Sequence, residues 1–225
     1  MIVISKEDSN GQVASLLERY PNLRIIRQYD SQIDIKGKIL INRNCEKISV
    51  YKEYGIEISV PLNSDKLPTV RETEHYIRNY PHIYSNRTLC LATDTDLYLH
   101  FREGFDLGAW MEEYVELYFV SYEYYKRYGV FPFGERSHGS KGMLEFYCDY
   151  FKIPGSKQAK EFISYIVTTE YKGHHPCPCG SGKKLRNCHK DSILNARRDD
   201  YLFAFIKRDL HRIEAEEASK NAGNS

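Results

Sequence analysis

The interpretation of this chain depends most on one stretch, Tyr80-Pro-His-Ile-Tyr-Ser-Asn-Arg-Thr-Leu-Cys-Leu91. A proline turn and a polar segment lead into a cysteine that has a leucine on each side. This order predicts an extended, ordered loop that ends at a thiol within reach of a partner molecule. A cysteine between leucines is also typical of a small buried apolar residue, so a purely structural role for Cys90 stays open.

The residues before this stretch predict a helix followed by antiparallel strands. Residues 8–20 have an amphipathic helical pattern that Pro21 ends. Alternating and β-branched residues predict strands over 23–29, 32–42, 46–52 and 54–61. Gly37, residues 42–44 and Gly55 are interpreted as the positions that separate or bend these strands. The expected order is therefore a helix, an antiparallel meander and an extended loop that leads to the cysteine.

The chain beyond Cys90 has mainly helical patterns. Residues 96–101 are interpreted as a short strand-like piece, and residues 219–225 as a frayed or disordered end. Helical periodicity predicts four longer elements, at 107–128, 143–151, 157–170 and 191–218.

Residues 174–189, HHPCPCGSGKKLRNCH, have the spacing of a metal site. Three cysteines and one histidine supply the soft thiolates and the imidazole that tetrahedral Zn²⁺ selects. The predicted ligands of a structural Zn²⁺ are Cys177, Cys179, Cys188 and His189. The other three cysteines, Cys45, Cys90 and Cys148, are scattered. Six cysteines in a chain of 225 residues do not indicate a disulfide framework in a cytosolic protein, which is what we expect here for the reasons given below.

The metal segment resembles the SEC-C motif, which is named from the C-terminus of a bacterial secretion ATPase. The resemblance implies a docking module. Its basic residues, which could meet a protein or a phosphate backbone, are Lys183, Lys184, Arg186 and Lys190. The alternative is that the module only stabilises a small C-terminal fold.

The stretch 80–91 resembles the active-site segment of ubiquitin-conjugating enzymes, in which His-Pro-Asn-Ile precedes a polar stretch and Ile-Cys-Leu. The residues in register, without a gap, are Pro81, Ile83, Ser85, Asn86, Cys90 and Leu91. Three positions depart from the family pattern: Tyr80 replaces His, His82 replaces Asn, and Arg87 replaces a common Gly.

This resemblance implies that Cys90 carries a protein C-terminus as a thioester. His82 would donate a hydrogen bond to the developing oxyanion, as the family asparagine is thought to do. Bacterial relatives have a Gly-Glu-Arg-x-His-Gly-like stretch after the long helix, which matches residues 134–139. There His138 would act as the catalytic base, and Glu135 and Arg136 would contribute to substrate binding. The alternative is that these three residues belong to a solvated loop.

The predicted fold is α+β, with a ubiquitin-conjugating-like domain over residues 1–152. It is followed by a helical connector at 153–172, a zinc module at 173–192 and a C-terminal helix with a disordered end at 193–225. The implied enzyme is an acyltransferase of the ubiquitin-conjugating type.

The implied partners are a ThiF-like adenylating enzyme, a modifier protein and the lysine of a protein target. The resemblance also implies a bacterial anti-phage operon, in which the transferred protein is a cyclic-oligonucleotide synthase. A net charge of +1 gives no case for nucleic-acid binding. We expect no membrane helix, because no stretch approaches about 20 apolar residues. The start, MIVISKEDSN, is not a signal peptide, so we expect a cytoplasmic protein.

Two other functions remain open at this stage. In the first, the same fold is a non-catalytic adaptor, Cys90 belongs to the core, and the zinc module docks partners. The second is an unrelated cysteine hydrolase that uses Cys90 and His138.

Overall fold

The structure, a computed structural model, describes residues 4–45, 47–132, 137 and 139–222, with side chains up to residue 220. The chain divides into two compact units, Met1–Gly134 and Glu135–Ser225. The sequence-based boundary at residue 152 lies later in the chain. The difference arises because the helix that begins at Gly139 packs with the helices that follow it, as described below.

Unit 1 starts with a helix and an antiparallel sheet. Helix α1, Lys6–Arg19, begins where the Ser5 hydroxyl accepts a 3.1 Å hydrogen bond from the amide of Asp8. The strands that the structure describes pair in chain order, each with the next: β1 Leu23–Gln28, β2 Gln32–Cys45, β3 Ile48–Pro61 and β4 Thr69–Glu72. The predicted helix and meander are thus confirmed, although β4 had not been predicted.

Two glycines lie inside the strands rather than at turns. Gly37 pairs with Ile56 and Gly55 pairs with Lys38, so the predicted strands 46–52 and 54–61 form the single strand β3. A Cβ atom on Gly37 would lie 1.9 Å from the carbonyl oxygen of Asn22. On Gly55 it would lie 2.7 Å from the Glu74 side chain. The glycines therefore permit close approach of neighbouring chain segments, which sequence spacing alone does not distinguish from a turn.

The segment after Cys90 is a helix, so the predicted strand at 96–101 is wrong. Helix α2 spans Asp94–His100. The Thr93 hydroxyl accepts a 3.2 Å hydrogen bond from the amide of Asp96, and acidic residues occupy the first turn. This capping and the favourable charge at the helix N-terminus outweigh the strand-like alternation of the sequence.

The predicted helix at 107–128 is confirmed and contains one irregular turn. It consists of α3 Leu107–Trp110, a π-helical turn Met111–Glu116 and α4 Leu117–Tyr128. Gly129 ends it in the left-handed conformation, with φ 70°. Fully buried Phe119 stacks on Tyr54 of β3 at 4.1 Å between ring centroids. The buried face of the sheet meets this helix in an apolar core that includes Ile33, Ile35, Ile39, Ile41, Ile56, Ile58, Trp110 and Val120.

Two carboxylates, seven residues apart on this helix, tie it to the sheet. Glu116 accepts hydrogen bonds from the Tyr20 hydroxyl at 2.6 Å and from the Arg43 guanidinium at 2.5 Å. Glu123 accepts from Lys52 at 2.7 Å and also from the Tyr54 hydroxyl. Each carboxylate therefore has one phenol and one cation as partners, which compensates its removal from water.

Unit 2 is helical around the cysteine-rich loop. Its elements are α5 Gly139–Phe151, α6 Ser156–Thr168, a 3₁₀ turn Leu185–Asn187, α7 Lys190–Arg198 and α8 Asp200–Ala222. The Tyr147 hydroxyl of α5 donates a 2.9 Å hydrogen bond to Asp209 of α8, and Phe151 contacts Phe162 of α6. These contacts place α5 with unit 2.

The C-terminal helix differs from its prediction in two ways. The predicted helix 191–218 is interrupted at Asp199, whose carboxylate accepts a 3.0 Å hydrogen bond from the amide of Leu202 and so starts a new helix. The helix then continues to Ala222, so residues 219–222 do not fray as predicted; residues 223–225 lie outside the described chain. The structure is α+β, with an antiparallel sheet and helices. Among the described residues, every helix is too short or too polar to cross a bilayer.

Candidate active site and metal centre

Cys90 ends a short hairpin whose first residue is His82. The amide of Cys90 donates a 2.8 Å hydrogen bond to the His82 carbonyl, and Ile83 pairs with Leu89 one step further in. The turn at the tip is closed by hydrogen bonds between Tyr84 and residues 87 and 88, each 2.9 Å long. The sequence predicted an extended loop here, and the structure shows that this loop folds back on itself.

The hairpin is attached to the edge of β4. The Leu89 amide donates to the Val70 carbonyl at 2.8 Å, and Thr88 pairs with Arg71. Leu89 is buried in the core, whereas Cys90 is only half-buried. The core therefore anchors the residue beside the cysteine and leaves the thiol at the surface of the domain.

Tyr84 is the side chain that the hairpin brings to the thiol. Its hydroxyl donates a hydrogen bond to Cys90 Sγ at 3.6 Å, and 58% of the residue remains exposed. Sequence reasoning missed this residue, since six residues of extended chain would separate the two positions by about 20 Å. The hairpin, in which Ile83 pairs with Leu89, makes them neighbours.

His82 contributes its backbone to the hairpin, and its ring packs against aromatic side chains. The imidazole lies 5.1 Å from the ring of Phe131 and 5.5 Å from that of Tyr80. The carbonyl of His82 also accepts a 3.0 Å hydrogen bond from the Tyr118 hydroxyl. Burial, and then proximity to Tyr80 and Cys90, raises the pKa of Tyr118, so this hydroxyl remains a donor even at a pH at which an ordinary tyrosine ionises.

The remaining predicted residues of the active site are Glu135, Arg136 and His138. All three lie outside the described residues. Their roles in substrate binding and proton transfer therefore stay predictions, as does the role of the His82 imidazole.

The four predicted metal ligands form one cluster. The ligand atoms of Cys177, Cys179, Cys188 and His189 all lie within 4.8 Å of one another. His189 Nδ1 is 3.3 Å from Cys177 Sγ and 3.1 Å from Cys188 Sγ, and the Cys179 and Cys188 sulfurs are 3.6 Å apart. A tetrahedron with metal–sulfur bonds of about 2.3 Å and metal–nitrogen bonds of about 2.0 Å has edges of about 3.5–3.8 Å. The cluster is therefore compatible with a tetrahedral metal site.

A second layer of contacts orients these ligands. His189 Nε2 lies 2.9 Å from the carbonyl oxygen of Phe151, which can only accept, so Nε2 carries the proton and Nδ1 offers its lone pair. The imidazole also packs edge-on against Phe162, with centroids 5.0 Å apart. Gly180 turns the chain between the ligands at φ 81°, a conformation that favours glycine. Helices α5 and α6 thus support the histidine.

The thiols of the cluster have opposite tendencies to ionise. Burial raises the pKa of Cys177 to about 12. Burial also opposes ionisation of Cys179, but hydrogen bonds from Ser181, and then from Cys177 and Cys188, outweigh it and lower its pKa to about 6. A thiolate is stabilised when adjacent thiols donate hydrogen bonds to it. A divalent metal ion that binds the cluster displaces the protons of these thiols and takes over the stabilisation of the thiolates.

The predicted basic residues lie in the same segment of the chain as the metal ligands. All four cations, Lys183, Lys184, Arg186 and Lys190, are exposed. Lys183 and Lys184 lie in a loop that is held by a hydrogen bond of 2.8 Å between the Cys177 amide and the Lys183 carbonyl, Arg186 lies in the 3₁₀ turn and Lys190 begins α7. The exposure suits a docking role, although exposure is also normal for lysine and arginine.

Comparison with known families identifies this module. The family model of the SEC-C motif matches residues 176–191, which include all four clustered ligands. No curated protein and no solved structure matches the chain. The C-terminal part of the protein thus carries a SEC-C motif with the ligand set of a metal-binding module.

Proposed function

We propose that this protein is a conjugating enzyme that carries a protein C-terminus as a thioester on Cys90 and transfers it to an amine. The observation that carries this proposal is the half-buried Cys90 thiol at the end of an anchored hairpin, with the Tyr84 hydroxyl 3.6 Å from the sulfur. A thiol that serves only as core packing has no need of a phenol directed at it from the surface.

The order of elements in unit 1 supports the same proposal. Helix α1, the antiparallel meander and the hairpin with Cys90 follow one another. This part of the order is the one that the resemblance to ubiquitin-conjugating enzymes implied, whereas helix α2 after the cysteine was not predicted. The fold would act as a rigid base, with the thiol on the edge of the sheet rather than on an unsupported loop.

The proposed chemistry has two acyl-transfer steps. In the first, a ThiF-like enzyme uses ATP to activate the C-terminal carboxylate of a modifier, and Cys90 Sγ, after loss of its proton to solvent, bonds to that carbonyl carbon while the bond from the carbon to the activating group, AMP or a thiolate of the activating enzyme, breaks. In the second, an amine, such as a target lysine, bonds to that carbon, the carbon–sulfur bond breaks, and a base takes the amine proton. Tyr84 is placed to donate a hydrogen bond at the sulfur, and His138 is the candidate base from the sequence.

A loading assay tests the proposal. The protein is incubated with ATP, a ThiF-like activating enzyme and its modifier, where the modifier is either a small ubiquitin-like protein or the C-terminus of a cyclic-oligonucleotide synthase. We expect an adduct at Cys90 that a thiol reductant releases. Absence of this adduct with activating enzymes that load their own partners would contradict the proposal.

Replacement of Tyr84 by phenylalanine is expected to slow transfer without unfolding the domain. Tyr84 is largely exposed and its hydroxyl donates a hydrogen bond to Cys90 Sγ, so loss of the hydroxyl should reduce the rate of discharge by about 2–10-fold. The rate is measured by single turnover of a preformed thioester with added lysine. Tyr51→Phe is the matched control, because Tyr51 is an exposed tyrosine on β3. Equal discharge by both variants and the wild type would remove Tyr84 from the mechanism.

Replacement of His138 by alanine is expected to slow discharge of the thioester more than its formation. A protonated lysine needs a base before it can attack, whereas the loading step uses a thiolate that needs less help. Loss of a general base costs about 10²–10⁴-fold. The same single-turnover assay gives the discharge rate, and a rate equal to that of the wild type would assign His138 to the loop alone.

We further propose that the metal of the SEC-C module is Zn²⁺ in a structural role. Three thiolates and one imidazole are ligands that zinc takes in closed tetrahedral sites. In such sites zinc stabilises the fold and does not take part in a reaction. The module would then present its exposed cations to a partner of the conjugation reaction, or to its target.

A second candidate function, a non-catalytic adaptor, is favoured by one observation. His82 replaces the asparagine of the conjugating enzymes, and its imidazole packs against Phe131 and Tyr80, a role that requires no reaction at Cys90. An adaptor would bind partners through the zinc module and would fail the loading assay while still forming a complex. The anti-phage setting implied by the sequence is a proposal for either function.

A further inference from the structure

A fully buried carboxylate joins the end of β4 to the hairpin that carries Cys90. Glu72 has a side chain with no exposed area. One of its oxygens accepts hydrogen bonds from the amides of Glu74 at 2.8 Å and Tyr76 at 3.1 Å. The other oxygen pairs with the guanidinium of Arg87. Glu72 therefore links two segments that are separated by fifteen positions in sequence.

Arg87 completes this link from the hairpin side. Its guanidinium also donates a 2.9 Å hydrogen bond to the carbonyl of Ile77, and its own carbonyl accepts from the Glu72 amide at 3.1 Å. Arg87 lies at the tip of the hairpin, three residues before Cys90, with φ at 71°. A side chain in this left-handed region is strained, and a glycine would avoid the strain.

Two features that are unfavourable for the free energy of folding thus occur together at Arg87, a strained backbone and a buried ion pair. Stability alone is a weak reason for either, because apolar residues of similar size often replace a buried pair without loss. What the pair does provide is a fixed position for the hairpin tip relative to β4. The same hairpin sets the distance between the Tyr84 hydroxyl and Cys90 Sγ.

We infer that Glu72 and Arg87 are positioning residues, which hold the Cys90 hairpin in the geometry that thioester transfer needs. This inference rests on the proposed function of Cys90. Neither residue is assigned contact with the reacting atoms. They affect the rate of transfer indirectly, because they hold the hairpin, and the register of the hairpin determines the position of the thioester when an amine attacks.

The test uses the full-length protein and substitutions of the pair. Arg87→Met removes the guanidinium and keeps an unbranched side chain. Glu72→Gln combined with Arg87→Met also leaves no unpaired buried carboxylate, so it covers the case in which the single variant fails to fold. Arg87→Lys restores the charge. Arg43→Met is the matched control, since Arg43 pairs with another nearly buried carboxylate, Glu116, at the far end of β2.

Two readouts separate positioning from stability. Hydrogen exchange of the Leu89 and Cys90 amides reports the order of the hairpin, and single-turnover discharge with free lysine reports transfer. In Arg87→Met and in the double variant we expect amide protection to fall by at least about tenfold. The maximal discharge rate should fall by about 10–100-fold, with the half-saturating lysine concentration unchanged. Arg87→Lys should recover part of both, and Arg43→Met should stay within about twofold of the wild type.

Each other outcome has a defined meaning. Unchanged discharge in the Arg87 variants overturns the inference, whether or not protection falls. Slow discharge with full protection also overturns it, because Arg87 would then act on the substrate directly. If the wild type never loads, the proposed function fails first. In that case the exchange data alone decide whether the pair holds the hairpin, and full protection in the variants overturns that claim as well.

Discussion

Replacement of Cys90 by serine is expected to abolish the thiol-labile adduct and to leave unit 1 folded. Serine is nearly isosteric with cysteine, and Cys90 is only half-buried, so little packing is lost. The serine hydroxyl is a far weaker nucleophile at neutral pH, and an oxyester, once formed, resists amines. We therefore expect transfer to fall by roughly 10³-fold or more, with any residual adduct stable to reductant. The measurement is the yield of conjugate in the loading assay.

The chain offers two controls for this substitution. Cys45 on β2 and Cys148 on α5 are also half-buried free thiols. Cys45→Ser and Cys148→Ser should load and discharge at the rate of the wild type. If Cys90→Ser conjugated its partner as fast as these controls, the proposed catalytic role of Cys90 would be contradicted and the adaptor would become the favoured function.

The elements set by local sequence were predictable in this protein. Helix α1 lies between a capping serine and Pro21, and the long helix ends at Gly129, so local signals mark both. The metal ligands were predictable for the same reason, because two short segments of fixed spacing supply all four. Their clustering within 4.8 Å follows from a loop of a dozen residues that can fold in few ways.

The errors in the prediction arise where tertiary contacts or capping override the local pattern. Gly55 looks like a break between strands, but it is a point of close approach by Glu74, which lies nineteen residues later. Residues 96–101 alternate like a strand, yet the hydroxyl of Thr93 starts a helix ahead of them. In both cases the deciding partner lies outside the window that a periodicity argument considers.

The candidate active site divides along the same line. Cys90 was singled out because a run of twelve residues carries its context, whereas Tyr84 and the Glu72–Arg87 pair were not singled out. Their proposed roles depend on the hairpin register and on a left-handed turn at Arg87. No single-sequence pattern requires an arginine to adopt φ 71°, so the pairing becomes visible only in the folded chain.

Removal of the metal is expected to unfold the SEC-C module and to leave unit 1 intact. Freshly purified protein should contain one Zn²⁺ per chain by elemental analysis. Cys177→Ser combined with Cys188→Ser should lose it, and so should the wild type after treatment with a strong chelator. Binding of structural zinc contributes apparent free energies of about 10–16 kcal/mol in zinc-finger peptides. Without the metal, backbone hydrogen bonds such as the one from the Cys177 amide to the Lys183 carbonyl would have to offset the entropic cost of ordering the loop.

The consequences should extend from the loop into the helices that His189 contacts. Its imidazole bonds to the Phe151 carbonyl of α5 and packs on Phe162 of α6, so an untethered histidine also weakens the junction of these helices. We expect faster hydrogen exchange at residues 173–192 and at the end of α5, with the β2–β3 pairing of unit 1 unchanged. The control is Cys45→Ser combined with Cys148→Ser, which removes two cysteines outside the cluster. Full protection of residues 173–192 in the metal-free protein would show that the cysteines and histidine are held together by packing alone, and it would assign the exposed cations to a surface that needs no metal to form.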